Sequence, residues 1–138
     1  MNTQRIIYPT PDGGVAITVP APGLSAADVL KDVPPGVAYE IVDASAIPSD
    51  RTFRNAWEKA GSQIQHNLTK AKEIAHEKRR IKRAEEFAPL DIESTIPAKA
   101  SEAEASRQLL RDKYATMQVA IDAAADIDAL KAAATEVL

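Results

Sequence analysis

The sequence predicts an α+β protein: a small three-stranded antiparallel β head with one short helix, followed by a long helix and a helical hairpin. Three observations carry that expectation. Two β-rich runs flank a Pro11-Asp12-Gly13 turn near the start of the chain. From Ser49 to Ala88 there is no proline and a single glycine, Gly61, with apolar residues recurring three and four apart. Beyond Pro97, Ser101 and Glu104 stand at capping-box spacing ahead of a second periodic run. The expected divisions are a head over 1–48, a connecting helix over 49–88, and a helical region over 89–138 that packs back or on a partner.

In the head, Arg5-Ile6-Ile7-Tyr8 and Val15-Ala16-Ile17-Thr18-Val19 are rich in β-branched residues, and the Pro-Asp-Gly between them is turn chemistry. Proline presets φ and glycine accepts positive φ, so a β-hairpin is expected. Ser25 is placed to cap a short helix over Ala26 to Lys31, with Asp28 favourable in its first turn. Pro34-Pro35-Gly36 ends that helix, and Val37 to Val42 alternates well enough to form a third strand. So small a head is expected to lean on the long helix, on Trp57 and Phe53 in particular, or on a partner.

Ser49 or Asp50 supplies a helix cap, and Phe53, Trp57, Ala60, Ile64, Leu68, Ala71, Ile74 and Ile81 follow at helical spacing. In a strict heptad frame the seam reads Trp57, Ala60, Ile64, Asn67, Ala71, Ile74, Lys78, Ile81, with Asn67 and Lys78 as polar interruptions. Such a helix would reach roughly 50 Å, longer than the head is wide. Its far half must therefore pack against another helix, another chain, or nothing but water. Phe87-Ala88-Pro89 is expected to end it. Leu110, Tyr114, Met117, Ile121 and Ala124 mark the next helix, and Asp126 or Asp128 caps a last short one.

Composition narrows function by exclusion. The chain has 138 residues, a net charge of −3 and only 4% aromatic residues, and its 45% apolar content is rich in alanine. A negative total opposes generic polyanion binding and leaves room for a local basic patch. The absence of cysteine rules out disulfides and thiolate metal sites. No run approaches the ~20 apolar residues of a membrane helix. The start, Met1-Asn2-Thr3-Gln4-Arg5, is not followed by the apolar run of a signal peptide. His66 and His76 are nearly three turns apart on the expected helix, too far for one metal, and no serine lies in a nucleophile-elbow context. No catalytic, cofactor or metal residues are expected.

Two surfaces remain. Phe53, Trp57, Ile64, Leu68 and Ile74 form the candidate face for docking the head or contacting another protein. Lys78, Arg79, Arg80, Lys82 and Arg83 are the candidate polyanion contact; on a helix they lie nearly all round, interleaved with Glu73 and Glu77. A solvated face, an acidic protein partner and phosphate contact all fit that pattern.

Arg5-Ile6-Ile7-Tyr8-Pro9-Thr10-Pro11-Asp12-Gly13-Gly14-Val15-Ala16-Ile17 resembles the opening of small tail-region proteins of tailed bacteriophages and prophages. Val33 to Asp43, followed by Ile47 to Glu58 with its Arg51-Thr52-Phe53-Arg54-Asn55-Ala56-Trp57, resembles the same group. Gln108-Leu109-Leu110-Arg111-Asp112 with Leu130-Lys131-Ala132 is similar to the end of phage tail and tail-fibre assembly chaperones. The resemblance implies a non-enzymatic virion or tail-assembly protein. It would be made in the host bacterial cytoplasm, contact other phage proteins, and form a homo-oligomer. The alternative is a phage-encoded nucleic-acid-binding or host-interference factor using the basic segment 78–83. No membrane role and no cofactor are implied.

Overall fold

The structure, a computed structural model, describes residues 3–138 and is α+β. It divides after Asn67 into two compact units, a β head and a helical unit. The head therefore reaches nearly twenty residues past the expected boundary at 48.

The head is built on a three-stranded antiparallel sheet in the order β2-β1-β3, with β1 at Gln4–Pro9, β2 at Val15–Thr18 and β3 at Glu40–Asp43. Ile7 stands opposite Ile17 in β2 and Glu40 in β3, and Ile6 opposite Thr18 and Ile41. Successive side chains of a strand point to opposite faces, yet Ile6 and Ile7 are both fully buried. Both faces of the central strand are covered. Ile6 packs with Ala26, Val29 and Val33 of the following 3₁₀ segment. Ile7 packs with Val15, Val42 and Trp57.

Local chemistry explains the connections. Gly13 sits at φ 86°, Asp12 Oδ1 accepts the Gly14 amide at 3.0 Å, and the Thr10 hydroxyl bonds the same carboxylate. Ser25 and Asp28 form a reciprocal cap: the Ser25 amide donates to Asp28 Oδ2 at 2.8 Å, and Ser25 Oγ accepts from the Asp28 amide at 3.2 Å. The helix they start is 3₁₀, over Ala27–Asp32. The third strand begins later than expected because Val37 is still in the Pro34–Val37 turn, its amide bonded to the Pro34 carbonyl. Asp43 caps the next turn at the Ser45 amide, and the Ser45 contacts, ahead of Thr3 and Arg5, hold its carboxyl down to about 2.

The stretch from Ser49 to Asn67 is not helical, which corrects the largest expectation drawn from the sequence. Asp50 caps an Asx turn, its Oδ1 accepting from the Thr52 amide (3.0 Å) and hydroxyl (2.6 Å). One 3₁₀ turn at Arg54–Ala56 follows, and then a second hairpin, β4 at Trp57–Ala60 and β5 at Gln63–His66. Its two-residue turn is Gly61-Ser62, with Gly61 at φ 60° and no non-glycine residue at positive φ, the II′ pattern that suits strand twist. The Asn67 amide closes the unit on the Ala56 carbonyl at 2.7 Å.

The helical unit holds α1 (Leu68–Glu93), α2 (Ala100–Ala123) and α3 (Ile127–Ala133). α1 runs through Pro89, where the sequence predicts a stop. The Ser101–Glu104 capping box does not form. Lys99 is the N-cap of α2 without a side-chain bond, and Glu104 pairs with Arg107 and Arg111 instead. Asp126 does cap α3, accepting from the Ala129 amide at 2.7 Å. α1 and α2 are antiparallel, as the expected hairpin requires: Lys72 Nζ donates to the Asp122 carbonyl, Tyr114 to Glu86, and Arg107 pairs with Asp91. Buried Ala103, Tyr114, Met117 and Ile121 form the inner stripe of α2, with its C-cap Ala124 and Leu130 and Ala134 of the α3 region also buried.

Candidate functional site

The expected contact face is split by the structure. Phe53 and Trp57 are buried in the head, so they stabilise that unit and are closed to a partner. Ile64 lies on β5 and packs against the Trp57 cluster. Leu68 and Ile74 alone are helical, both half-buried. The five residues are thus not one helical stripe. A helix would have put Phe53, Trp57 and Ile64 on one side, and so does this loop and hairpin, by turning them into the head.

Trp57 is the centre of the head. Its indole is fully buried among Ile7, Val15 and Val42. Its Nε1–H donates to His66 Nε2 at 3.2 Å across the non-helical β4–β5 pair, which satisfies the one polar atom a buried indole carries. The Arg54 and Arg51 guanidiniums lie 5.0 and 5.8 Å from the ring centroid. His66 therefore pairs inside the head, and it does not share a helix with His76.

On α1 the buried stripe is Ala71, Ala75, Arg79 and Phe87, not the expected seam of Ala71, Ile74, Lys78 and Ile81. Alanines at the contact let the two helices approach closely, so the larger isoleucines take the other side. Arg79, expected on a solvent or polyanion face, is only 8% exposed. Its Nε–H donates to His76 Nδ1 at 3.3 Å, and His76 Nε2 meets Asp122 Oδ1 of α2 at 2.7 Å. With Arg79 donating to Nδ1, the His76 proton sits on Nε2 and faces Asp122. Burial, followed by Arg80 and Arg83, lowers the Arg79 pKa from its ordinary value, and Asp122 opposes that shift. Arg80 is held by Glu77 at 3.2 Å and Arg83 lies 4.4 Å from the Phe87 ring centroid. Lys78 and Lys82 are exposed. The basic segment is thus partly absorbed by the hairpin, and Arg79 is withdrawn from any polyanion surface.

Away from the α1–α2 contact each helix carries a second set of apolar side chains. On α1 these are Ile81 (52% exposed) and Ile92 (67%), with Ala88 exposed between them. On α2 they are Leu109 (71%) and Val119 (68%), flanked by exposed Ala105 and Ala123. At 100° per residue Val119, Ala105 and Ala123 fall on the side of α2 away from its buried stripe with Leu109 on the flank, and Ile81, Ala88 and Ile92 fall away from the centre of the buried stripe of α1. The sequence signal for these faces was present in Leu109 and Val119, which fit neither the inner stripe nor a polar exterior.

Among the described residues no group of three or more His, Asp or Glu side chains is placed to hold a metal ion. No helix there is long and apolar enough to cross a membrane. Comparison with protein-family models, with curated proteins and with solved structures gives no match to this chain.

Proposed function

We propose that this chain is a non-enzymatic binding protein of a tailed phage, a virion component or a tail-region assembly factor that works by protein–protein contact. The observation that carries the reading is the pair of outward apolar sets on α1 and α2. A surface helix ordinarily keeps its outer face polar, whereas Ile81, Ile92, Leu109 and Val119 all face outward on the same helical hairpin. Large exposed apolar side chains on helices that already bury a separate stripe against each other are available to a partner. The phage setting rests on the resemblance of residues 5–58 to small phage and prophage tail-region proteins.

The test compares wild-type chain with Leu109→Glu/Val119→Glu in cells producing the phage. Both positions are exposed, so the variant should keep its helical circular dichroism. Wild type should cross-link to tail or particle proteins identified by mass spectrometry, and the variant should lose those links. A wild-type chain that cross-links to no particle protein, in lysate or in purified particles, would overturn the proposal.

A further inference from the structure

The head has a cavity of about 410 Å³ whose wall is set by the β2 end, the turn after β3 and the loop ahead of Trp57. Three guanidiniums, those of Arg5, Arg51 and Arg54, line it beside the aliphatic side chains of Ile17, Val19 and Ile47. The Arg51 and Arg54 guanidinium carbons lie 5.8 and 5.0 Å from the Trp57 ring centroid, within cation–π range, and both Arg54 terminal nitrogens lie 3.5 Å from the Val15 carbonyl, at the outer limit of a hydrogen bond. Among the described residues neither is paired with a carboxylate. The acids adjoining the cavity in sequence are engaged locally, Asp43 by Ser45 and Asp50 by Thr52.

A ring beneath a guanidinium attracts its charge without using up its N–H donors, which suit a planar oxyanion. The Trp57 contact restrains both guanidiniums, which lowers the side-chain ordering cost of binding an anion. The aliphatic floor selects an anion carried beside an apolar group. A nucleic acid strand finds no stacking surface here, because the one indole is buried beneath the arginines.

We infer that this cavity receives an acidic segment of a protein partner, a glutamate or aspartate carboxylate meeting Arg51 and Arg54 while a neighbouring apolar side chain rests on Ile17, Val19 and Ile47. The inference rests on the protein-contact reading and gives that contact a second, chemically distinct site.

The experiment titrates full-length chain, labelled for methyl NMR, with acetylated and amidated Leu-Glu-Leu, with its Leu-Gln-Leu counterpart, and with inorganic phosphate. Saturable shifts at Val19 and Ile47 are expected with the glutamate peptide, with the glutamine peptide at least about tenfold weaker. Arg51→Gln should weaken the glutamate peptide by a similar factor. Arg51 is exposed, so this variant should keep the wild-type dispersion of its methyl spectrum and its melting temperature. Equal binding of the two peptides, wild-type binding by Arg51→Gln, binding of phosphate alone, or no binding would each overturn the inference. Those outcomes leave the cross-links through Leu109 and Val119 untouched, so the two readings fail separately.

Discussion

Single side chains decide each unit. In a head this small, Trp57 supplies the largest fully buried side chain, joining the sheet to the second hairpin. Trp57→Ala should cost about 3–5 kcal/mol, a large share of the stability of a small domain, and amide dispersion in the head should collapse while helical circular dichroism is retained. Arg79 poses the opposite case. A buried charge bonded to a histidine and not directly to a carboxylate is expensive to keep, so Arg79→Met, similar in reach and apolar, should be neutral or stabilising in thermal melts. His76→Ala instead strands the Arg79 Nε–H beside the helix contact and should destabilise by about 1–3 kcal/mol. If both variants lose stability alike, the His76 bridge is not what satisfies Arg79. Tyr114 adds a pH dependence. Burial, then its 2.6 Å bond to Glu86 and the charges of Glu86 and Glu136, raise its pKa above the ordinary tyrosine value of about 10. The folded state thus holds the phenol proton more tightly than the unfolded chain. The stabilisation is complete below about pH 10 and is lost as pH climbs beyond it. Helicity should therefore fall in that alkaline range, and the tyrosinate absorbance missing from Tyr114→Phe should emerge only with that fall.

At the scale of elements, helix α1 contains a residue that opposes it. Pro89 lacks the N–H for its helical bond and crowds the turn before it, yet α1 continues to Glu93. Buried Phe87, half-buried Leu90 and the Asp91–Arg107 pair at 3.1 Å hold the chain in register on both sides of it. Pro89→Ala should relieve the conflict and raise helical stability by roughly 1–3 kcal/mol, seen as a higher melting temperature by circular dichroism. The same position shows how far sequence could lead. Its proline reads as a stop because the packing that overrules it is long-range. The Pro11-Asp12-Gly13 hairpin, the Ser25–Asp28 cap and the Asp126 cap were legible because each is local chemistry within a few residues. Residues 49–67 were misread for the converse reason. Glu, Lys, Gln and His are weak strand formers, and Phe53, Trp57, Ala60 and Ile64 happen to fit a helical period. The Gly61-Ser62 dipeptide between two four-residue runs was the available hairpin signal. The inner face of α1 was hidden because Ala71 and Ala75 carry less hydrophobic weight than the isoleucines that point away.

For the whole molecule, the outward sets on α1 and α2 are where self-association would make stability depend on concentration. The 4% aromatic content and alanine-rich helices give each unit modest apolar area to bury within itself, while Ile81, Ile92, Leu109 and Val119 keep theirs in water. If copies of the chain cover these faces, the associated form is favoured by mass action, by about 2.7 kcal/mol at a hundred times the dissociation constant. The melting temperature of wild-type chain should then rise across a dilution series, alongside a mass above that of one chain in light scattering. Leu109→Glu/Val119→Glu places two carboxylates on the covered face. Its mass should fall to that of one chain, and its melting temperature should no longer move with concentration. A wild-type chain whose mass and melting temperature are both independent of concentration would exclude copies of the chain as the cover of these faces. The cross-links then become the only measure of what they meet. The Arg51 and Arg54 cavity sits in the other unit, so Arg51→Gln should leave the dilution series unchanged in either case.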